Sequence, residues 1–224
     1  MSYIVRQAHK QSIWGKRGVV KMMHIIRKDM QTTTTWSSGT TTELAIYPVD
    51  AKYTKRNFKW RISTATVNNE TSIFTMLPGI WRILMVVEGD LYLEHTGHHN
   101  VHLAPFEQDQ FSGEWETKSR GKATDFNVML AEGYVANLRL LTYAATEDRQ
   151  MIVQKTEYIN ESFEIFYNIN GKLKIEGLML NTVLGQGEML IVNRNQLPEE
   201  LYLVFHNAGH EPIHVINATI ERRS

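Results

Sequence analysis

Apolar and β-branched residues recur along the chain in short runs whose period is two rather than 3.6, the signature of half-buried strands. Across 58–67 the alternation is explicit: Phe58, Trp60, Ile62 and Thr64 fall on one face, Arg61, Ser63 and Ala65 on the other. Similar runs are predicted as strands over 19–27, 82–87, 90–95, 100–103, 125–130 and 134–143. The second half adds 152–158, 164–169, 173–180, 188–192, 200–206 and 212–220. Turn-forming residues sit between them: Pro78-Gly79, Glu88-Gly89-Asp90, Asn170-Gly171, Gly185-Gln186-Gly187 and Gly209. Asn170-Gly171 between two apolar runs predicts a hairpin. Only 50–55 suggests a helical turn. So many short strands, with almost no helical period, define an all-β chain.

The two halves share a pattern. The apolar strand, tight glycine turn and apolar strand at 86–93 match those at 166–173. Two related β-sandwich or jelly-roll units are expected, because two packed sheets bury their edges and enclose a ligand-sized space.

Composition narrows the chemistry. Lys plus Arg and Asp plus Glu are both 24, and cysteine is absent. A neutral chain lacks the electrostatic footprint of a nucleic-acid binder and a polybasic route to membranes. Without cysteine there is no thiol nucleophile and no Cys-ligated metal. No apolar stretch approaches the roughly 20 residues of a spanning helix. The N-terminal stretch, broken by Arg6, His9, Lys10 and Lys16, lacks a signal-peptide centre. A cytoplasmic protein is expected.

Four constellations stand out. The hydroxyl-rich stretch Trp36-Ser37-Ser38-Gly39-Thr40-Thr41-Thr42-Glu43 reads as a surface connection or as a loop over a cavity. Arg61 and Ser63 share a face. If that face is internal, Arg61 needs an anionic partner, either Glu43, Asp125 or a ligand carboxylate. Asp125, Asn127 and Met129 oppose the apolar Phe126, Val128 and Leu130, and are either solvated or line a pocket. His95, His98, His99 and His102 suggest a metal, but the surrounding Thr96-Gly97 and Asn100 read as a hairpin tip that points its side chains into water. Glu94 is the one nearby acid in sequence. No phosphate loop or Gly-x-Ser-x-Gly elbow is present.

The blocks Trp36–Glu43, Phe58–Ala65, Phe74, Leu77-Pro78-Gly79, Arg82, Glu88-Gly89, Phe111-Ser112-Gly113 and Asp125–Met129 resemble the HutD/Ves family in order and spacing. The resemblance covers roughly residues 20–130. It implies a bicupin, two double-stranded β-helix (cupin jelly-roll) barrels in one chain, over 19–133 and 134–224, after an arm at 1–18. It also implies a homodimer and a link to histidine utilisation. Trp36, Gly39, Thr42, Glu43, Arg61, Ser63, Arg82, Asp125 and Asn127 would line or support the first-barrel pocket. Many relatives carry Lys-Asn-Gly-Gly after the tryptophan, where this chain has Ser37-Ser38-Gly39-Thr40. The cupin metal pattern, two histidines two residues apart followed by a glutamate and a later histidine, is missing.

The expectation is therefore a metal-free, cofactor-free regulatory or accessory protein. It would bind a small carboxylate, such as a formylated or formiminated glutamate, with Arg61 paired to it. The alternative is a cupin-type enzyme, using either a metal at His95–His102 or Asp125 as a metal-free base.

Overall fold

The computed structural model describes residues 22–157, 159–177 and 180–223. The alternating runs form strands and the strands form four antiparallel sheets. The larger sheet of the first unit runs, edge to edge, Thr32–Trp36, Gly39–Tyr47, Trp60–Val67, Ala123–Ala131, Ile80–Gly89 and Gln108–Ser112. Its smaller sheet runs Thr71–Ile73, Thr117–Arg120, Leu91–His95 and Asn100–Leu103. In the second unit the larger sheet runs Met23–Ile26, Met189–Asn193, Ser162–Asn168, Ile213–Arg222 and Tyr134–Tyr143. The smaller runs Asp148–Val153, Leu201–His206, Lys172–Gly177 and Leu180–Gly185.

The strand orders reveal a repeat that residue identity conceals. Trp60–Val67, Ala123–Ala131, Ile80–Gly89 and Gln108–Ser112 neighbour one another as Tyr134–Tyr143, Ile213–Arg222, Ser162–Asn168 and Met189–Asn193 do. The smaller sheets correspond strand for strand as well. The glycine turns have a different job from the one the sequence predicts. Ser162–Asn168 and Lys172–Gly177, on either side of Asn170-Gly171, lie in different sheets, so this is no hairpin. The turn at Glu88-Gly89-Asp90 does the same between Ile80–Gly89 and Leu91–His95. Gly89 and Gly171 have φ of 79° and 68°, in the left-handed region where a side chain is disfavoured. A glycine corner there lets the chain leave one sheet and enter the other.

The first described strand crosses between units. Sequence order groups Met23–Ile26 with 19–133, but it pairs with Met189–Asn193 and so completes the second unit's larger sheet. The pairing covers what would otherwise be an open strand edge, and it buries Ile26. The proposed arm at 1–18 lies outside the described residues. The helical turn expected at 50–55 is a short 3₁₀ turn, Tyr53–Lys55.

Alternation then decides what each face meets. Trp60, Ile62, Phe126, Val128 and Leu130 form one shared core with Phe163, Ile165, Ile191, Ile216 and Ile220 of the other unit. The Trp60 ring sits 5.1 Å from Phe163, edge-on. The two larger sheets thus pack back to back. The opposite faces of the same strands turn into the barrels, and there the two units differ.

Candidate functional site

In the first barrel the inward faces of Trp60–Val67 and Ala123–Ala131 carry Arg61, Ser63, Asp125, Asn127 and Met129. The register sets Asn127 beside Ser63 and Met129 beside Arg61. On the other side of the same strand, Met129 neighbours Arg82. All six side chains are buried, and all six line a cavity of about 250 Å³. Its mouth and walls add Thr34, Trp36, Thr41, Tyr53, Ser72 and Phe74.

The cations in this space are held differently. Arg61 donates from Nε to Glu43 Oε2 at 2.9 Å and from Nη1 to Ser63 Oγ at 3.0 Å. Its guanidinium lies over the Tyr53 ring at 4.4 Å. Arg82 lies over Phe74 and Phe111, at 4.8 and 5.1 Å from their centroids, and its buried Nε has no hydrogen-bond partner. Burial lowers the Arg82 pKa to about 10, against the opposing pull of Asp125. Burial also drives the Asp125 pKa up to about 7, with Arg82 and a backbone hydrogen bond at Ala65 acting the other way. Asp125 Oδ1 and Asn127 Oδ1 are buried and unpartnered as well. A buried polar atom without a partner costs free energy, on the order of 1–3 kcal/mol. All three belong to residues that line one cavity, so its wall carries polar groups that the protein itself leaves unmatched.

The expected site residues divide accordingly. Trp36, Arg61, Ser63, Arg82, Asp125 and Asn127 come together around the cavity. Glu43 supports it through Arg61. Thr42 does not line it. The register places Thr41 opposite Ala65 and Thr42 opposite Thr64, so Thr42 faces the other way and hydrogen-bonds Thr33 across the edge at 2.8 Å. Gly39 acts through the backbone, since a Cβ there would collide with the Thr66 carbonyl. The hydroxyl-rich stretch is no loop but a tight hairpin, Thr32–Trp36 against Gly39–Tyr47. Trp36 Nε1 donates to Thr41 Oγ1 at 3.1 Å on its inner side.

Sequence reasoning missed Thr41, Tyr53, Phe74 and Met129. Strict alternation was the signal for Thr41, because neighbours on a strand cannot share a face. Met129 already shared a face with Asp125 and Asn127. Nothing local marked Tyr53.

The histidine cluster needs a correction. His95 is not a solvated tip residue; it ends a strand and is 1 % exposed. Its acid is Asp109, on the edge strand of the larger sheet, rather than Glu94. Asp109 Oδ2 lies 3.0 Å from both His95 Nε2 and His99 Nε2. Burial lowers the His95 pKa, partly opposed by Asp109. His98 stacks on Trp115 at 3.8 Å, and His102 is exposed beside Asp90.

The HutD family model matches residues 27–210. This chain belongs to the HutD family. That family is linked to histidine utilisation. Among solved structures the chain is similar to a conserved protein of unknown function from Pseudomonas aeruginosa PAO1, at 22 % identity and a TM-score of 0.72, over 91 % of this chain and 100 % of that one. It is also similar to HutD from Pseudomonas fluorescens SBW25, determined in a formate condition, at 19 % identity and a TM-score of 0.65, over 90 % and 100 %. A mutant of Bacillus subtilis oxalate decarboxylase matches at 9 % identity and a TM-score of 0.64, over 95 % and 79 %. At these identities the likeness establishes a cupin-like fold.

A cupin barrel suggests an internal metal, but the donors lining this cavity do not suit one. No histidine lines it, and two guanidiniums, Arg61 and Arg82, point their charge into the space where a cation would sit. Among the described residues no helix is long and apolar enough to cross a membrane.

Proposed function

We propose that the first-barrel cavity binds a small carboxylate carrying an N–H group, a formylated or formiminated glutamate being the best match. The protein would then serve histidine utilisation as a cytoplasmic regulatory or accessory protein. The observation that carries this reading is the unfinished hydrogen bonding of the cavity. Arg82 Nε is a donor awaiting an acceptor, and Asn127 Oδ1 is an acceptor awaiting a donor. Asp125, poised near neutrality, either donates to a carboxylate oxygen or accepts from an N–H. Arg61 is already engaged by Glu43 and Ser63, so it forms a charged wall, and Arg82 takes the leading role expected of Arg61. A volume of about 250 Å³ lies below the roughly 300–1,000 Å³ of drug-sized sites and suits a metabolite. The formate condition of the Pseudomonas fluorescens relative is in keeping with a carboxylate-binding pocket.

Calorimetric titration with N-formylglutamate and N-formiminoglutamate tests the proposal. Binding is expected in the parent and strongly weakened in Arg82→Lys, which keeps a charge but loses the fork that grips a carboxylate. Unchanged affinity in both Arg82→Lys and Arg61→Ala would sink it.

A second reading rests on Asp125 alone. A buried carboxyl with a pKa of about 7 is matched to general acid–base work at neutral pH. Incubation with the same compounds, followed by proton NMR, separates the two readings. Turnover that Asp125→Asn abolishes would move the assignment from binding to catalysis.

A further inference from the structure

We infer that His95, His99 and Asp109 form a divalent metal site of the zinc class, outside the cavity, which ties the hairpin tip of the smaller sheet to the edge of the larger one. Their ligating atoms all lie within 4.8 Å of one another. Ligands about 2.0–2.2 Å from a tetrahedral ion stand roughly 3.3 Å apart, and both imidazole Nε2 atoms already stand 3.0 Å from Asp109 Oδ2. Two imidazoles and a carboxylate are a donor set that zinc accepts. His99 is 39 % exposed in its side chain, which leaves a path for the ion and a fourth position for water.

The surroundings orient the ring as well. His95 Nδ1 lies 2.8 Å from Thr117 Oγ1. In the tautomer with its proton on Nδ1, Thr117 accepts that proton and Nε2 presents a lone pair toward Asp109 and His99. A metal ion shared among the three would engage Nε2 in that tautomer. A histidine whose second nitrogen is fixed by a hydrogen bond is the usual form of an oriented metal ligand.

The site connects two sheets that the backbone does not pair. His95 belongs to Leu91–His95 and Asp109 to Gln108–Ser112. None of the three residues lines the cavity, so the metal has a clasping role and the carboxylate proposal stands or falls separately.

The test uses the full chain without an affinity tag, stripped with a chelator and dialysed. Zinc is titrated in competition with a chromophoric chelator, alongside thermal melting. Expected are equimolar binding, a melting temperature that rises with zinc, and a loss of affinity exceeding about 100-fold in His99→Gln and in Asp109→Asn. Thr117→Val should lower affinity by about 10-fold, the effect of removing an outer-shell partner. His102→Gln should match the parent. Zinc that fails to bind the folded parent, or binds His99→Gln and Asp109→Asn as tightly as the parent, would overturn the site. Asp109→Asn melting within a degree or so of the stripped parent shows that the variant is folded.

Discussion

The two barrels are built on one strand order, yet one encloses a polar cavity and the other a packed core. Matched through their shared pairing and glycine corners, the strand positions of Arg82, Leu84 and Val86 correspond to Glu164, Phe166 and Asn168. Those of Asp125, Asn127 and Met129 correspond to Val215, Asn217 and Thr219. The position of Ser63 corresponds to Arg139. In the second barrel Tyr143, Phe166, Phe205, Leu190 and Val215 fill the interior, with the Phe205 ring 5.6 Å from Tyr143 and 5.0 Å from Phe166. Several of its polar residues answer one another, although Tyr143 Oη and Asn168 Oδ1 are buried without partners here too. Asn217 Nδ2 donates to Glu164 Oε1 at 2.7 Å, Thr219 Oγ1 donates to Glu164 Oε2 at 3.1 Å, and Arg139 Nη2 donates to Asn217 Oδ1 at 2.5 Å. In the first barrel the equivalent groups leave three buried atoms unanswered. Unanswered polar atoms thus occur in both barrels, and what separates the two is space and charge. The first leaves Arg82 and Asp125 beside an open cavity, whereas aromatic rings close the interior of the second.

That contrast predicts different penalties on the two sides. The largest effect should come from the scaffold. Phe166→Ala opens a hole in a fully buried core and should cost about 3–5 kcal/mol of stability. Urea unfolding measures this, and a loss below about 1 kcal/mol would mean the second barrel is not the packed member of the pair.

Next comes the binding side. Arg82→Ala should remove about 2–5 kcal/mol of carboxylate affinity, the range for truncating one member of a buried charged hydrogen bond. Calorimetry reads the loss, and Arg139→Ala, at the arginine of the second barrel's polar set, should leave affinity unchanged.

Asp125 gives a pH signature. Its pKa is raised from 3.8 to about 7 in the folded state. Between those values the folded protein holds a proton that the unfolded chain has released, so stability from this group is full below about pH 4 and declines as pH rises to about 7. Asp125→Asn does not share that decline. Its melting temperature should match the parent's near pH 4 and exceed it at pH 8. A difference independent of pH would contradict the burial of an ionisable group there. The smallest effect is expected for Ser63→Ala, which removes one acceptor from Arg61 and should cost about 1 kcal/mol by urea unfolding.

Much of this is legible in the sequence. The alternation at Phe58–Val67 and Asp125–Leu130 assigned both faces of the two strands that matter most, and the all-β class followed from the period alone. What escaped was partnership across distance. Asn170-Gly171 and Glu88-Gly89 carry the local chemistry of tight turns, and nothing within those residues states whether the next strand returns to the same sheet or crosses to the other. Met23–Ile26 looks like the start of the first unit, and only its pairing with Met189–Asn193 places it in the second. The histidines misled because a glycine-bearing tip suggests solvent, whereas His95 is covered by Phe111 and Trp115, 4.5 and 5.7 Å away.

By itself, then, the sequence determined which residues alternate, and so which side chains share a face, since the period of a strand is a local property of the backbone. The tertiary structure alone decided which faces became interiors and which polar groups met. Asp125 near Arg82, and Asp109 between His95 and His99, are brought together by sheets folding over one another. At Asp125 burial then sets the charge, because removing water raises the cost of an unpaired ion.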